Sequence, residues 1–161
     1  MVATATFIEY LGSSVSTATA TQLDLASTMA ANVTRATYPV SVGNYSISKC
    51  FKVSFGGTFT GVYDVKLYKS DGSLVTGEVV NYGVSSTYHV PTGGSYEDSI
   101  ADTAIPTSAP STANVTVGGT ITYTLNATEN TTDFIYLQSS VTIQSVSGTS
   151  NEKTLTITWS E

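Results

Sequence analysis

Residues Ile47 to Asp71 read ISKCFKVSFGGTFTGVYDVKLYKSD. Apolar side chains recur at Ile47, Phe51, Val53 and Phe55, with Ser48, Cys50, Lys52 and Ser54 between them. A period of two puts alternate side chains on opposite faces of an extended chain, so this is a strand with one face on a core. The run Gly56-Gly57-Thr58-Phe59-Thr60-Gly61 interrupts it. Alternation resumes with Tyr63, Val65 and Leu67 against Asp64, Lys66 and Tyr68, and Asp71-Gly72 supplies a strong turn signal. The stretch reads as a central hairpin of two long strands and sets the expectation of an all-β chain.

Working outward, residues 1–22 are rich in Ala, Thr and Ser and read as an extended N-terminal arm, with a short strand over Thr6–Leu11. Residues 23–31 suit a strand or irregular chain. Pro39 confines Tyr38–Val40 to an edge strand or a loop. Leu74–Tyr82 reads as a third strand, with Gly77 marking a bulge, and Gly83–Val90 as a fourth short stretch. Residues 91–119 hold three of the four prolines and little periodicity. They form a long loop, either functional or extended across a neighbour, with a short strand around Asn114–Val117. Ile121 to Leu125, Asp133 to Val146 and Leu155 to Trp159 alternate again. Seven to nine strands at this spacing fit an antiparallel β-sandwich or jelly roll over residues 23–161.

The chain has 161 residues, enough for one domain with a real core. Only 11% are charged, the net charge is −6, and Arg35 is the single arginine. That composition leaves no footprint for nucleic-acid phosphates. A hydrophobic content of 40% excludes a disordered acidic tail. Thr and Ser supply 50 residues, so the surface is built of hydroxyls, which suits broad, weakly charged contact with other proteins. Cys50 is the only cysteine and excludes an internal disulfide. The N-terminal residues show no secretory signal and no segment of membrane-spanning length.

Little chemistry is visible. His89 is the only histidine, and no nucleophile signature accompanies it. Glu97-Asp98 with Asp102 is the one carboxylate cluster, and its spacing is not that of a calcium loop. No catalytic residue, cofactor or metal ligand is assigned, and the chain does not read as an enzyme. Tyrosines flank many turns, where they close the ends of a sandwich or, second, meet another subunit; a sugar platform, for instance Tyr82 and Asn81 near Tyr88, ranks last. Five Asn-x-Ser/Thr sequons, at Asn32, Asn44, Asn114, Asn126 and Asn130, exceed what the Ser/Thr content alone would give, but with no secretory signal they read as mostly compositional.

Five pieces occur in order: SISKCFKVSF (46–55), DVKLYKSDG (64–72), IADTAIPTSAP (100–110), DFIYLQSSV (133–141) and TLTITWSE (154–161). Their style and order resemble small β-sandwich structural proteins of the virions of tailed bacteriophages. The resemblance implies a structural particle protein and no active residues. The first reading is a capsid decoration (cement) protein on the outer capsid surface, made in the host cytoplasm. It would bind the major capsid protein and copies of itself as a trimer, with no nucleic acid and no membrane. The arm 1–22 and the loop 91–119 would reach neighbours, with Tyr88, His89, Tyr96, Ile100, Ile105, Pro106 and Pro110 at the interface. The alternatives are a tail or baseplate component and a carbohydrate-binding host-adhesion sandwich; a glycan ligand ranks behind protein partners.

Overall fold

A computed structural model describes residues 2–33, 36–94, 100–121, 124–125, 130–142 and 152–161. The chain is all-β, with eight strands among the described residues: β1 (Ala3–Leu11), β2 (Ser16–Thr19), β3 (Lys49–Gly57), β4 (Tyr63–Asp71), β5 (Glu78–Ser85), β6 (Thr103–Ala104), β7 (Phe134–Val141) and β8 (Thr154–Ser160). They form two antiparallel sheets, one in the order β2-β1-β3-β7-β5-β6 and the other of β4 with β8. The main core fills the space between them, with Phe51, Val53, Phe55, Leu67, Leu125 and Ile135 fully buried.

Strands form on both sides of the glycine run as expected, but they do not pair as a hairpin. β3 pairs with β1 and β7, whereas β4 pairs with β8 in the opposite sheet. The run 58–62 is therefore a corner between layers. Its Phe59 and Val62 turn into the core, which a two-residue hairpin turn would not require.

The N-terminal segment is not a detached arm. β1 pairs with β3 over eight residues, Ala3 opposite Gly57 to Tyr10 opposite Cys50, and β2 folds back on Ile8–Leu11. Ala3, Ala5 and Phe7 fall in core phase, which draws the segment into the sheet. Residues 20–33 and 36–42 cross the inner face of that sheet as an irregular strap. Leu23 and Leu25 pack on the main core, and Ala26 is fully buried.

The third strand starts at Glu78 and runs through Gly83 to Ser85, so the expected fourth stretch begins as its continuation. Gly77, at φ +82°, lies in the preceding turn and not in a bulge. Gly83 permits the chain at Ile100 to cross the strand: a Cβ there would stand 1.7 Å from the Ile100 carbonyl oxygen. The loop 91–119 is woven into the domain where it is described. Ile105 N donates to Val80 O at 3.0 Å, and Val115 and Val117 are buried in the core. Asn114–Val117 is not a strand. Instead the Asn114 side chain imitates one, accepting from Leu67 N at 2.8 Å and donating to Leu67 O at 2.9 Å. That seals the outer edge of β4. Residues 143–146, at the end of the expected long strand, and the turn Ser147-Gly148 lie outside the described residues.

Candidate functional site

Two places on this frame gather polar or aromatic groups: the outer face of the large sheet and the inner cleft beside the strap. On the outer face, Cys50, Ala101 and Tyr136 form a second, small core, with Tyr10, Tyr88, Ile100 and Phe134 packed around it. The alternating "polar" side of β3 and β7 is thus buried as well. The loop after β5 crosses it and supplies partners for the Tyr136 hydroxyl and the Gln138 amide nitrogen. Tyr136, fully buried, accepts from His89 N at 2.6 Å and its hydroxyl donates to His89 O at 3.1 Å. Gln138 donates from Nε2 to Ser46 O at 2.9 Å and to Gly94 O at 2.7 Å. Lys52 places Nζ 4.1 Å from the centre of the Phe134 ring.

The residues expected at an interface separate into two groups. Tyr88 is half-buried; its hydroxyl donates to Gly12 O at 2.8 Å and its ring lies 5.5 Å from Phe134. Ile100 packs on the small core beside it, and the His89 side chain is exposed while its backbone is held by Tyr136. Ile105 belongs instead to the main core at 6% exposure, so it faces inward and offers no surface. Pro106 accepts at its carbonyl from Lys69 N at 2.8 Å, and Pro110 is half-buried. Tyr96 lies outside the described residues, as do Glu97 and Asp98 of the carboxylate cluster. Tyr82 and Asn81 are both buried, at 8% and 6%, so the sugar platform drawn from them does not form.

The inner cleft, about 960 Å³, opens where the strap, β5–β7 and the start of β8 diverge. Phe7, Leu23, Val80 and Leu155 line its apolar side; Lys69, Ser139 and the Glu78–Lys153 ion pair at 2.9 Å line its polar side. A shallower depression on the opposite sheet holds the exposed Tyr63 and Ile121. Asp64 beside it has φ +52°, a left-handed conformation that aspartate adopts more readily than most residues. Among the described residues no group of three His, Cys, Asp or Glu stands close enough to hold a metal ion, and no helix is long and apolar enough to cross a membrane.

The charged group that matters most was passed over in the sequence. Lys49 Nζ lies 2.9 Å from Glu9 Oε1, and the two side chains are 1% and 0% exposed. Burial pushes the Glu9 carboxyl above its ordinary range, the Lys49 contact and charge lower it, and the Asp24 charge raises it further. The signal was present: Glu9 continues the core phase of Ala3, Ala5 and Phe7, and Lys49 shares the phase of Phe51 and Val53.

All five lysines are committed within the domain. Lys49, Lys66 and Lys153 pair with Glu9, Asp64 and Glu78, Lys52 covers a ring, and Lys69 Nζ reaches the Asp71 and Gly72 carbonyls. Among sequon asparagines, Asn114 is fully used in hydrogen bonds, and Thr116 of the same sequon donates to Asp133 Oδ2 at 2.5 Å. Comparison with protein-family models, with curated proteins and with solved structures gives no match to this chain.

Proposed function

We propose that the protein is a non-catalytic structural component of a virion. In this reading it is a decoration protein that binds the assembled outer shell and stabilises it through contacts with the major capsid protein and with its own copies as a trimer. The observation that carries the reading is the internal use of every lysine. What remains for a partner is a surface of Thr and Ser hydroxyls with scattered apolar residues such as Tyr63 and Ile121 and exposed carboxylates such as Asp71, Asp102 and Glu152. A surface of this kind recognises by shape and hydrogen bonding over area, and its lysines, engaged within the domain, are not offered to an anionic partner. Ligation of the assembled state alone stabilises that state by mass action. Burial of both faces of β7 over residues 135–139, and of β3 over residues 49–51, suits a rigid brick that docks without rearrangement.

The test is co-sedimentation of the purified protein with purified shells, with and without Tyr63→Ala and Ile121→Ser. Saturable binding at a lattice-related stoichiometry supports the reading, and no binding to assembled shells refutes it. A tail or baseplate role would appear as binding to tails but not to shells.

A further inference from the structure

Glu9 and Lys49 face each other across two paired strands in a site closed to water. Glu9 is opposite Phe51 in the β1–β3 register, so Lys49, two residues away on the same face, is its diagonal neighbour. The Nζ–Oε1 separation is 2.9 Å, yet neither Glu9 oxygen sits in an aligned hydrogen bond, and both are buried. A carboxylate sealed from water ordinarily collects donors on all its lone pairs. Lys49 spends one N–H on Ala30 O at 2.7 Å, which fixes the head of the side chain against the carboxyl. Burial, the largest influence, raises the Glu9 carboxyl towards its protonated form; the Lys49 contact and charge oppose it without cancelling it, and the Asp24 charge adds to it. In so dry a place an amine facing a neutral acid competes with the ion pair, because both charges lose their hydration.

We propose that Lys49 and Glu9 condense to an intramolecular isopeptide bond, a covalent cross-link between β1 and β3. The lone pair of the neutral Lys49 amine attacks Cδ of the protonated Glu9 carboxyl. An N–C bond forms and one C–O bond breaks. The leaving oxygen departs as water, carrying the carboxyl proton and one amine proton, while the other amine proton remains on the amide. Nothing is oxidised or reduced, and no co-reactant is consumed. Two groups held in such an approach have effective concentrations on the order of 10⁵ M or more, which replaces chemical activation of the acid. The cross-link would close the chain between residues 9 and 49, which includes β2 and the strap, into a covalent ring, and its hydrolysis would require water to re-enter a closed site.

The test is the intact mass of the purified native chain, followed by tandem mass spectrometry of its proteolytic peptides. The expected result is a mass lower than the sequence mass by one water, with a branched peptide joining residue 9 to residue 49. Lys49→Arg keeps the cation but forms no such amide, so it should run at its full sequence mass, as should Glu9→Ala. Cyclisation at Asp71-Gly72 also releases one water, so a loss that persists in Lys49→Arg overturns the proposal. A native chain at its full sequence mass overturns it as well, and neither reading of the native chain depends on a variant folding.

Discussion

Replacing Asn114 by alanine should detach the loop from the edge of β4. The side chain makes three hydrogen bonds: it accepts from Leu67 N at 2.8 Å, and donates to Leu67 O at 2.9 Å and to the Tyr82 hydroxyl at 3.0 Å. Leu67 is fully buried, so its backbone groups have no ready access to water once the amide is gone. Each buried polar group left unpaired costs about 1–3 kcal/mol, and two of them with partial relaxation give a loss of about 3 kcal/mol. That is a large fraction of the roughly 5–15 kcal/mol that a domain of this size carries. Asn114→Asp should cost at least as much, because it turns the donor that faces Leu67 O into a second acceptor. The assay is urea unfolding followed by the fluorescence of Trp159, whose ring meets Phe55 edge-on at 5.2 Å and so reports closure of the two sheets. Asn44→Ala, at an exposed turn, serves as control. A loss below about 0.5 kcal/mol for Asn114→Ala, the range of an ordinary surface change, would refute the strand-mimic argument.

Three further outcomes follow from the same frame. Phe51→Ala should lose about 3–5 kcal/mol by cavity formation in the main core, whereas Val79→Ala, 37% exposed on β5 of the same sheet, should stay within about 0.5 kcal/mol by the same assay. Gly83→Ala should fail to give soluble folded protein or should shift the loop at Ile100, read by sheet circular dichroism, because the added Cβ meets backbone at 1.7 Å. Tyr136→Phe should cost about 1–2 kcal/mol and raise amide exchange at His89, whose N–H would lose its 2.6 Å partner.

What the sequence made legible was local. Alternation placed β3, β4, β7 and β8 to within a few residues, because a half-buried strand writes its period into the chain. Pairing was not legible. The partner of β3 is β1, some forty positions upstream, and no neighbouring residue announces that choice. The arm reading failed for a related reason: Ala3, Ala5 and Phe7 form a weak apolar phase amid threonines, and only the opposing strand makes it count. The second core was hidden because its face of β3 and β7 shows Cys50, Tyr136 and Gln138, which alternation assigns to solvent. A crossing loop buries them and supplies backbone partners for the tyrosine and the glutamine. For the same reason the interface residues drawn from the loop divided: Tyr88 and Ile100 cover the small core, while Ile105 enters the large one. Lys49 and Glu9 were readable as charges in apolar phase, a mismatch between local pattern and residue type that marks a special site.

Copy number in purified particles bears most directly on the structural role. Quantitative mass spectrometry of intact virions against the major shell subunit should give a ratio near one to one, or a simple lattice fraction of it. A few copies per particle would move the protein to the tail, and its absence from the particles would contradict a structural role in the virion.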